Sequence, residues 1–146
     1  FLLLSNPTNK PSGKTIMLHP PGLGLEPGHR YNKEEPYKGD GLSEAFQNAL
    51  QGSPDKCIET IYCSLNGENF GAKEFGVAQI RSSEYFSEKV KVHHPAEYFG
   101  DIGAAFAPIL IAMASISMTQ GHSTNNTLIW CSAEGEARAA VKLSLE

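Results

Sequence analysis

The sequence predicts a single α/β domain, a mixed sheet layered against helices. Three observations carry that expectation. Short β-rich runs and segments of helical period alternate along the chain. After Asp101, residues 102–120 form an uncharged run dense in Gly, Ala and Ser, and a helix apolar on every side is one that packs inside a fold. The composition, 40% hydrophobic and 19% charged, suits a chain that buries a core rather than a disordered one. At 146 residues the chain fits one domain spanning 1–146.

Taken in order, residues 1–5 read as a short strand entered midway. They lack an initiator Met, a basic segment and an apolar run long enough for a signal peptide, as expected of a processed piece or part of a longer chain. A Pro- and Asn-containing loop follows to Gly13, and Thr15–His19 forms a second strand stopped by Pro20-Pro21-Gly22. From Gly22 to Gly39, Gly, Pro and charge dominate, and the expectation is one long irregular loop, a length often tied to function. Asp40 opens a helix to about Gln51, with Leu42, Ala45, Phe46, Ala49 and Leu50 at helical spacing and Gly52 closing it. Cys57–Leu65 is a strand that ends in the turn Asn66-Gly67. Phe70 to about Phe86 reads as a helix with a mixed face, and Val90–His93 as a short strand before Pro95. Asp101 is expected to cap the apolar helix, which Gly121 ends. That helix carries Pro108 and is short for a membrane span. Thr127–Cys131 and Ala137–Leu145 close the domain as strands, the last alternating Ala140, Lys142 and Ser144 with Val141, Leu143 and Leu145.

Twelve basic against sixteen acidic residues give a net charge of −4, and the basic residues are scattered. Neither nucleic acid nor an anionic membrane is an expected partner. Three cysteines cannot all pair within the chain. Cys57 and Cys63 fall on one face of a strand and read as buried thiols of a reducing, cytoplasmic protein. No ligand spacing suggests a metal or a cofactor, and in a cytoplasmic protein the sequon Asn125-Asn126-Thr127 has no meaning. Gly13-Lys14-Thr15 ends like a phosphate loop, but Thr8 stands where its first Gly belongs and no strand-loop-helix surrounds it. Gly22, Gly24 and Gly28 have the wrong spacing for a dinucleotide fingerprint, and Pro27 forbids the helix it would open.

The run His94-Pro95-Ala96-Glu97-Tyr98-Phe99-Gly100-Asp101-Ile102-Gly103-Ala104-Ala105 leads into the apolar helix, then Gly121, a strand, a Gly-containing loop and a last strand. This series resembles the C-terminal end of a β-ketoacyl synthase, in the thiolase-like superfamily, and Phe1–Ser5 resembles the strand that closes that family's N-terminal half. The resemblance implies a thiolase-like half-fold: a C-terminal half whose mixed sheet has the helix 101–120 buried beneath it. It also implies that the nucleophilic Cys lies in an N-terminal half, and that the C-terminal half seen here supplies two catalytic groups, His-His or His-Asn, to meet a developing oxyanion. At the first of those places the chain has Asn66-Gly67-Glu68-Asn69, and at the second Gly100-Asp101. Glu134-Gly135-Glu136 replaces the family's glycine-rich loop. A carboxylate accepts hydrogen bonds and cannot donate one to an oxyanion.

The resemblance with these departures implies a catalytically degenerate half, an acyl-binding or protein-interaction module. Its expected partners are an N-terminal half of the same fold and an acyl carrier protein or acyl thioester, within a homo- or hetero-oligomer. The alternative is an acyltransferase or 3-oxoacyl synthase whose nucleophilic Cys lies in the N-terminal half and whose acid/base group is His93 or His94. A third reading is a structural scaffold. The candidate site residues are therefore His93, His94, Asp101, Asn66 and Cys131. Each also has a plainer reading: the histidines as a strand-end pair, Asp101 as a helix cap, and Cys131 as a thiol at a strand-to-loop turn.

Overall fold

The computed structural model describes residues 4–6 and 13–146. The expected strand 1–5 falls mostly outside the described residues, and Leu4 and Ser5 belong to no strand. In chain order the elements are β1 (Ile16–Leu18), β2 (Gly22–Leu25), α1 (Asp40–Leu50), β3 (Ile58–Cys63), α2 (Asn69–Arg81), β4 (Phe86–His93), α3 (Ala96–Phe99), α4 (Phe106–Thr119), β5 (Asn126–Ser132) and β6 (Ala137–Leu145). The sheet is mixed and ordered β1-β6-β5-β3-β4, with β2 also on β6. β3 runs parallel to both β4 and β5, while β6 is antiparallel to β5, β1 and β2.

β6 is long enough to serve two partners along one edge. β1 pairs with its Leu143–Leu145 end and β2 with Ala137–Ala140. The break between them falls at Pro20 and Pro21, which have no N–H to give to a ladder. Residues 22–25 are therefore a strand where the composition predicts only loop. Gly22 and Gly24 explain both the misreading and the structure. A Cβ on either would collide with the backbone of α1, at Ala45 and Ala49 or at Gly41 and Ala45. Strand and helix approach this closely because Gly41, Ala45 and Ala49 present almost no side chain.

Side-chain parity divides the interior into two cores. On one face α1 and α2 cover Ile58, Ile61, Cys63, Leu128 and Trp130 with Leu42, Phe46, Leu50 and Phe75. Phe46 meets Phe75, Phe86 and Trp130 edge-on at 5.9–6.4 Å, and Trp130 stacks on Phe75 at 5.3 Å. On the other face α4 packs Phe106, Leu110, Ala114 and Met118 on Tyr62, Ile129 and Leu143. Val141, Leu143 and Leu145 face this second core, as the alternation of the last strand predicts.

The helix over 101–120 differs from its expectation in two ways. It begins at Phe106, after a 3-10 turn at Gly103–Ala105 whose Gly103 has φ +57. It is also buried on only one narrow stripe: Ile109, Met113 and Ile116, spaced i, i+4, i+7, form an apolar face open to solvent, with Ile116 55% exposed. All-round apolarity predicts all-round burial only when both faces have neighbours, and one sheet supplies one face. The short helix α3 between His94 and Gly100 has no counterpart in the sequence expectation. Among the described residues no helix is long and apolar enough to cross a membrane, and Cys57, Cys63 and Cys131 are free thiols.

Two glycines test the close approach. Gly24→Ala should lower stability by about 1–3 kcal/mol through overpacking. Gly76→Ala, in the interior of α2 with open space at its Cβ, should raise it by up to about 1 kcal/mol. Urea unfolding of both variants checks the contrast; a neutral Gly24→Ala would contradict the packing described.

Candidate functional site: a cavity at the carboxyl ends of the parallel strands

The helix after β3 covers one face of the sheet and the connection after β4 returns across the other. Open α/β sheets bind ligands outside the carboxyl ends of their parallel strands, where connections diverge in this way. A cavity of about 720 Å³ lies there. Its walls come from the β3 exit (Ser64, Leu65, Asn66, Glu68), the approach to α4 (Asp101, Gly103, Phe106) and the β5–β6 hairpin (Cys131 to Glu134).

Local chemistry fixes each wall. Asn66 Oδ1 accepts the Glu68 N–H at 3.2 Å, closing the turn that Gly67 permits at φ +88. Asp101 Oδ1 accepts the Gly103 N–H at 2.8 Å, and its Oδ2 accepts Asn66 Nδ2 at 3.5 Å. Asp101 thus holds the 3-10 turn instead of capping α4 directly, and Asn66 ties the two loops together. The hairpin is held from below by Arg138, only 2% exposed. Its Nε pairs with Glu74 Oε1 of α2, and its Nη1 donates to the carbonyls of Gly135 (2.6 Å), Ala137 (3.0 Å) and Ala133 (3.2 Å). Ser132 Oγ donates to the other Glu74 oxygen at 3.4 Å. Burial raises the Glu74 carboxyl, against the pull of the Arg138 guanidinium.

Of the five residues predicted from sequence, the cavity gathers Asn66, Asp101 and Cys131. Burial pushes the Cys131 thiol up to about 11, with Ser64 pulling it back, so it is a poor nucleophile near neutrality. His93 and His94 lie outside the cavity lining. His93 stacks on Tyr62 at 4.7 Å, and burial lowers its imidazole below the ordinary range. His94 Nε2 lies 3.0 Å from Glu97, and its Nδ1 has no partner among the described residues.

Several lining residues escaped sequence reasoning. Arg138 shares the parity of Lys142 and Ser144, so it reads as part of a wet face, although it is buried. Glu74 reads as one more charge on a mixed helix. The signal available was Arg138 as an isolated charge in the run Ala137–Val141, and a single chain does not say with which distant carboxylate such a charge pairs. Trp130 also lines the cavity, 1% exposed, and its indole Nε1 finds no acceptor among the described residues. Also among the described residues, no group of three or more His, Cys, Asp or Glu is placed to hold a metal ion.

No protein-family model matches the chain, and no curated protein matches it. Among solved structures, it is similar to 3-oxoacyl-[acyl-carrier-protein] synthase III from Aquifex aeolicus, with a TM-score of 0.57 and 11% sequence identity. The likeness covers 89% of this chain and 54% of that one, so the chain spans about half the length of the synthase. At this identity the likeness is one of fold: a thiolase-like mixed α/β arrangement.

Two outcomes follow, one from the buried ion pair and one from the partly desolvated histidines. Arg138→Met should destabilise by about 3–5 kcal/mol because it leaves Glu74 buried and unpaired, and the double variant Glu74→Leu/Arg138→Met should recover most of that loss. Chemical denaturation of the two would show the non-additivity. For the histidines, a lowered folded pKa means that the unfolded chain takes up the proton first as pH falls below about 6.5. Burial lowers both His93 and His19. Their contribution is therefore intact above that pH and declines below it. Melts at pH 7.5 and 5.5 should differ less for His93→Asn than for the wild type.

Proposed function

We propose that this chain is the C-terminal half of a β-ketoacyl-synthase-like fold that has lost condensing activity. It acts with an N-terminal half as a module that binds an acyl thioester or an acyl carrier protein. The observation that carries this reading is the uncovered apolar face of α4, where Ile109, Met113 and Ile116 stand exposed on a helix without a single charge. A face of that kind calls for a second layer, and a fold shared with about half of a synthase supports the view that the layer is another half. Helix 106–119 then lies between two sheets, which accounts for its small residues.

The cavity supports acyl binding and argues against condensation. Asn66 offers a neutral amide, but both oxygens of Asp101 accept hydrogen bonds, so at the second position the cavity presents an acceptor with negative charge. An enolate formed from a malonyl thioester needs donors there, each worth about 3–4 kcal/mol of barrier. A thioester carbonyl, in contrast, is an acceptor of the kind that the unpartnered Trp130 N–H lacks.

Light scattering on the chain expressed alone should detect self-association through α4, and Met113→Glu/Ile116→Glu should return it to a monomer while its melting temperature changes little. A clean wild-type monomer would sink the layered reading. Release of thiol from malonyl and acyl thioesters, assayed with any co-purifying half, should be absent. Turnover abolished by His93→Ala or His94→Ala would instead establish an acyltransferase.

A further inference from the structure

The loop between β2 and α1 is fixed at its ends and tied at its middle. At the ends, Glu26 joins chain to chain. Its N–H donates to the Glu136 carbonyl at 2.8 Å, and its carboxylate accepts the Lys38 N–H at 3.2 Å and the Gly41 N–H at 2.9 Å. Asn32 folds the middle back: its Nδ2 donates to the Pro27 carbonyl at 2.9 Å and its N–H to the His29 carbonyl at 3.0 Å. Between these fixtures two consecutive residues reach in different directions. Arg30 donates through Nη1 to both oxygens of Glu68, at 2.8 and 3.0 Å, on the turn between β3 and α2. The Tyr31 hydroxyl donates to Glu134 Oε2 at 3.0 Å on the β5–β6 hairpin. Arg30, Glu68 and Glu134 all line the cavity, so the loop bridges two of its walls.

We infer that residues 27–36 form a gate across this cavity, hinged at Glu26 and at Tyr37, whose ring packs on Phe70 at 4.2 Å and whose hydroxyl donates to the Phe70 carbonyl, and latched by Arg30 on Glu68 and Tyr31 on Glu134. Burial separates the two functions. Glu26 is 1% exposed, its carboxylate accepts from the Lys38 and Gly41 N–H groups at the α1 end of the loop, and its own N–H donates to Glu136, so the hinge stays put. The side chains of Arg30 and Glu68 are 50% and 46% exposed, and Tyr31 is 63% exposed. Exposed pairs of this kind are weak in water and weaker in salt, so the latch parts while the hinge holds. Opening frees both walls at once, because each latch contact ends on a different one. The gate does not depend on which ligand the cavity takes, so its failure would leave the acyl-binding reading untouched.

Cys131 supplies the probe, since it lines the cavity and is partly buried. Cys63, buried in the first core, and Cys57, which lines a separate pocket with Lys56 and Asn126, serve as internal references. The purified chain is treated with N-ethylmaleimide, and labelling of each cysteine is followed by peptide mass. Arg30→Gln/Tyr31→Phe should label Cys131 about fivefold faster than wild type, the scale set by latch contacts of this exposed class, with Cys57 and Cys63 unchanged. Glu68→Ala, which cuts the ion pair from the other side, should give part of the same gain. Added salt should speed wild-type labelling and leave the double variant unaffected. Equal Cys131 rates in wild type and double variant would overturn the gate. So would three cysteines accelerating together, or wild-type Cys131 reacting as fast as an unprotected thiol.

Discussion

A guanidinium and a carboxylate taken out of water each lose several kcal/mol of hydration, and they stay charged inside a protein only when every remaining donor and acceptor is met. Arg138 Nε and Nη1 and both Glu74 oxygens find such partners in each other, in Ser132 and in the carbonyls of the β5–β6 hairpin. The guanidinium fork divides between one carboxylate of α2 and three carbonyls of the turn. The turn therefore keeps its shape because its carbonyls are the outlet for a buried charge. Much else follows from this arrangement. The pair fixes α2 against the end of β6, sets the floor of the cavity and places Cys131 and Glu134 on its wall. A looser hairpin would leave the cavity without one side.

The same region shows how a fold tolerates irregular backbone. Asn66, Gly67, Gly100, Asp101 and Gly103 form two adjoining loops in which three glycines take positive φ and two short polar side chains satisfy nearby N–H groups. The side chains of Asn66 and Asp101 are thus engaged with the loops themselves, and both Asp101 oxygens act as acceptors. The loop 26–39 adds a third irregular segment beside the cavity, held at its ends by the buried Glu26 carboxylate and by Tyr37 on Phe70, and in its middle by exposed contacts that water weakens.

Helix α4 states the relation between pattern and environment most plainly. Its hydrophobicity has no direction, yet this chain gives it a neighbour on one side only, leaving Ile109, Met113 and Ile116 exposed. Helix α1 is the reverse: a mixed sequence whose small residues Gly41, Ala45 and Ala49 let β2 approach at backbone distance, so that it is covered more completely. Burial here follows from who the neighbours are rather than from how apolar a segment reads.

By itself the sequence determined the local periods: strands over 15–19, 57–65, 127–131 and 137–145, a helix from 40 to about 51 and the turn at Asn66-Gly67; the helices read over 70–86 and 101–120 exist but span 69–81 and 106–119, and the strand read over 90–93 begins already at Phe86. Those features rest on interactions within a few residues, which a sequence states directly. It also placed Asn66, Asp101 and Cys131 as candidates, and these three do share a cavity. What only the tertiary structure decided depends on residues far apart in the chain. The strand at 22–25 exists because β6 has an edge to fill and α1 has a surface of small residues; its own Gly content argues against it. His93 and His94 sit away from the cavity because the end of β4 turns His93 onto Tyr62. Arg138 and Glu74, separated by 64 residues, are buried charges only by virtue of each other. A pairing of that kind has no periodicity and no local signature, because its free energy comes from desolvation shared between two elements that meet only after the chain has folded.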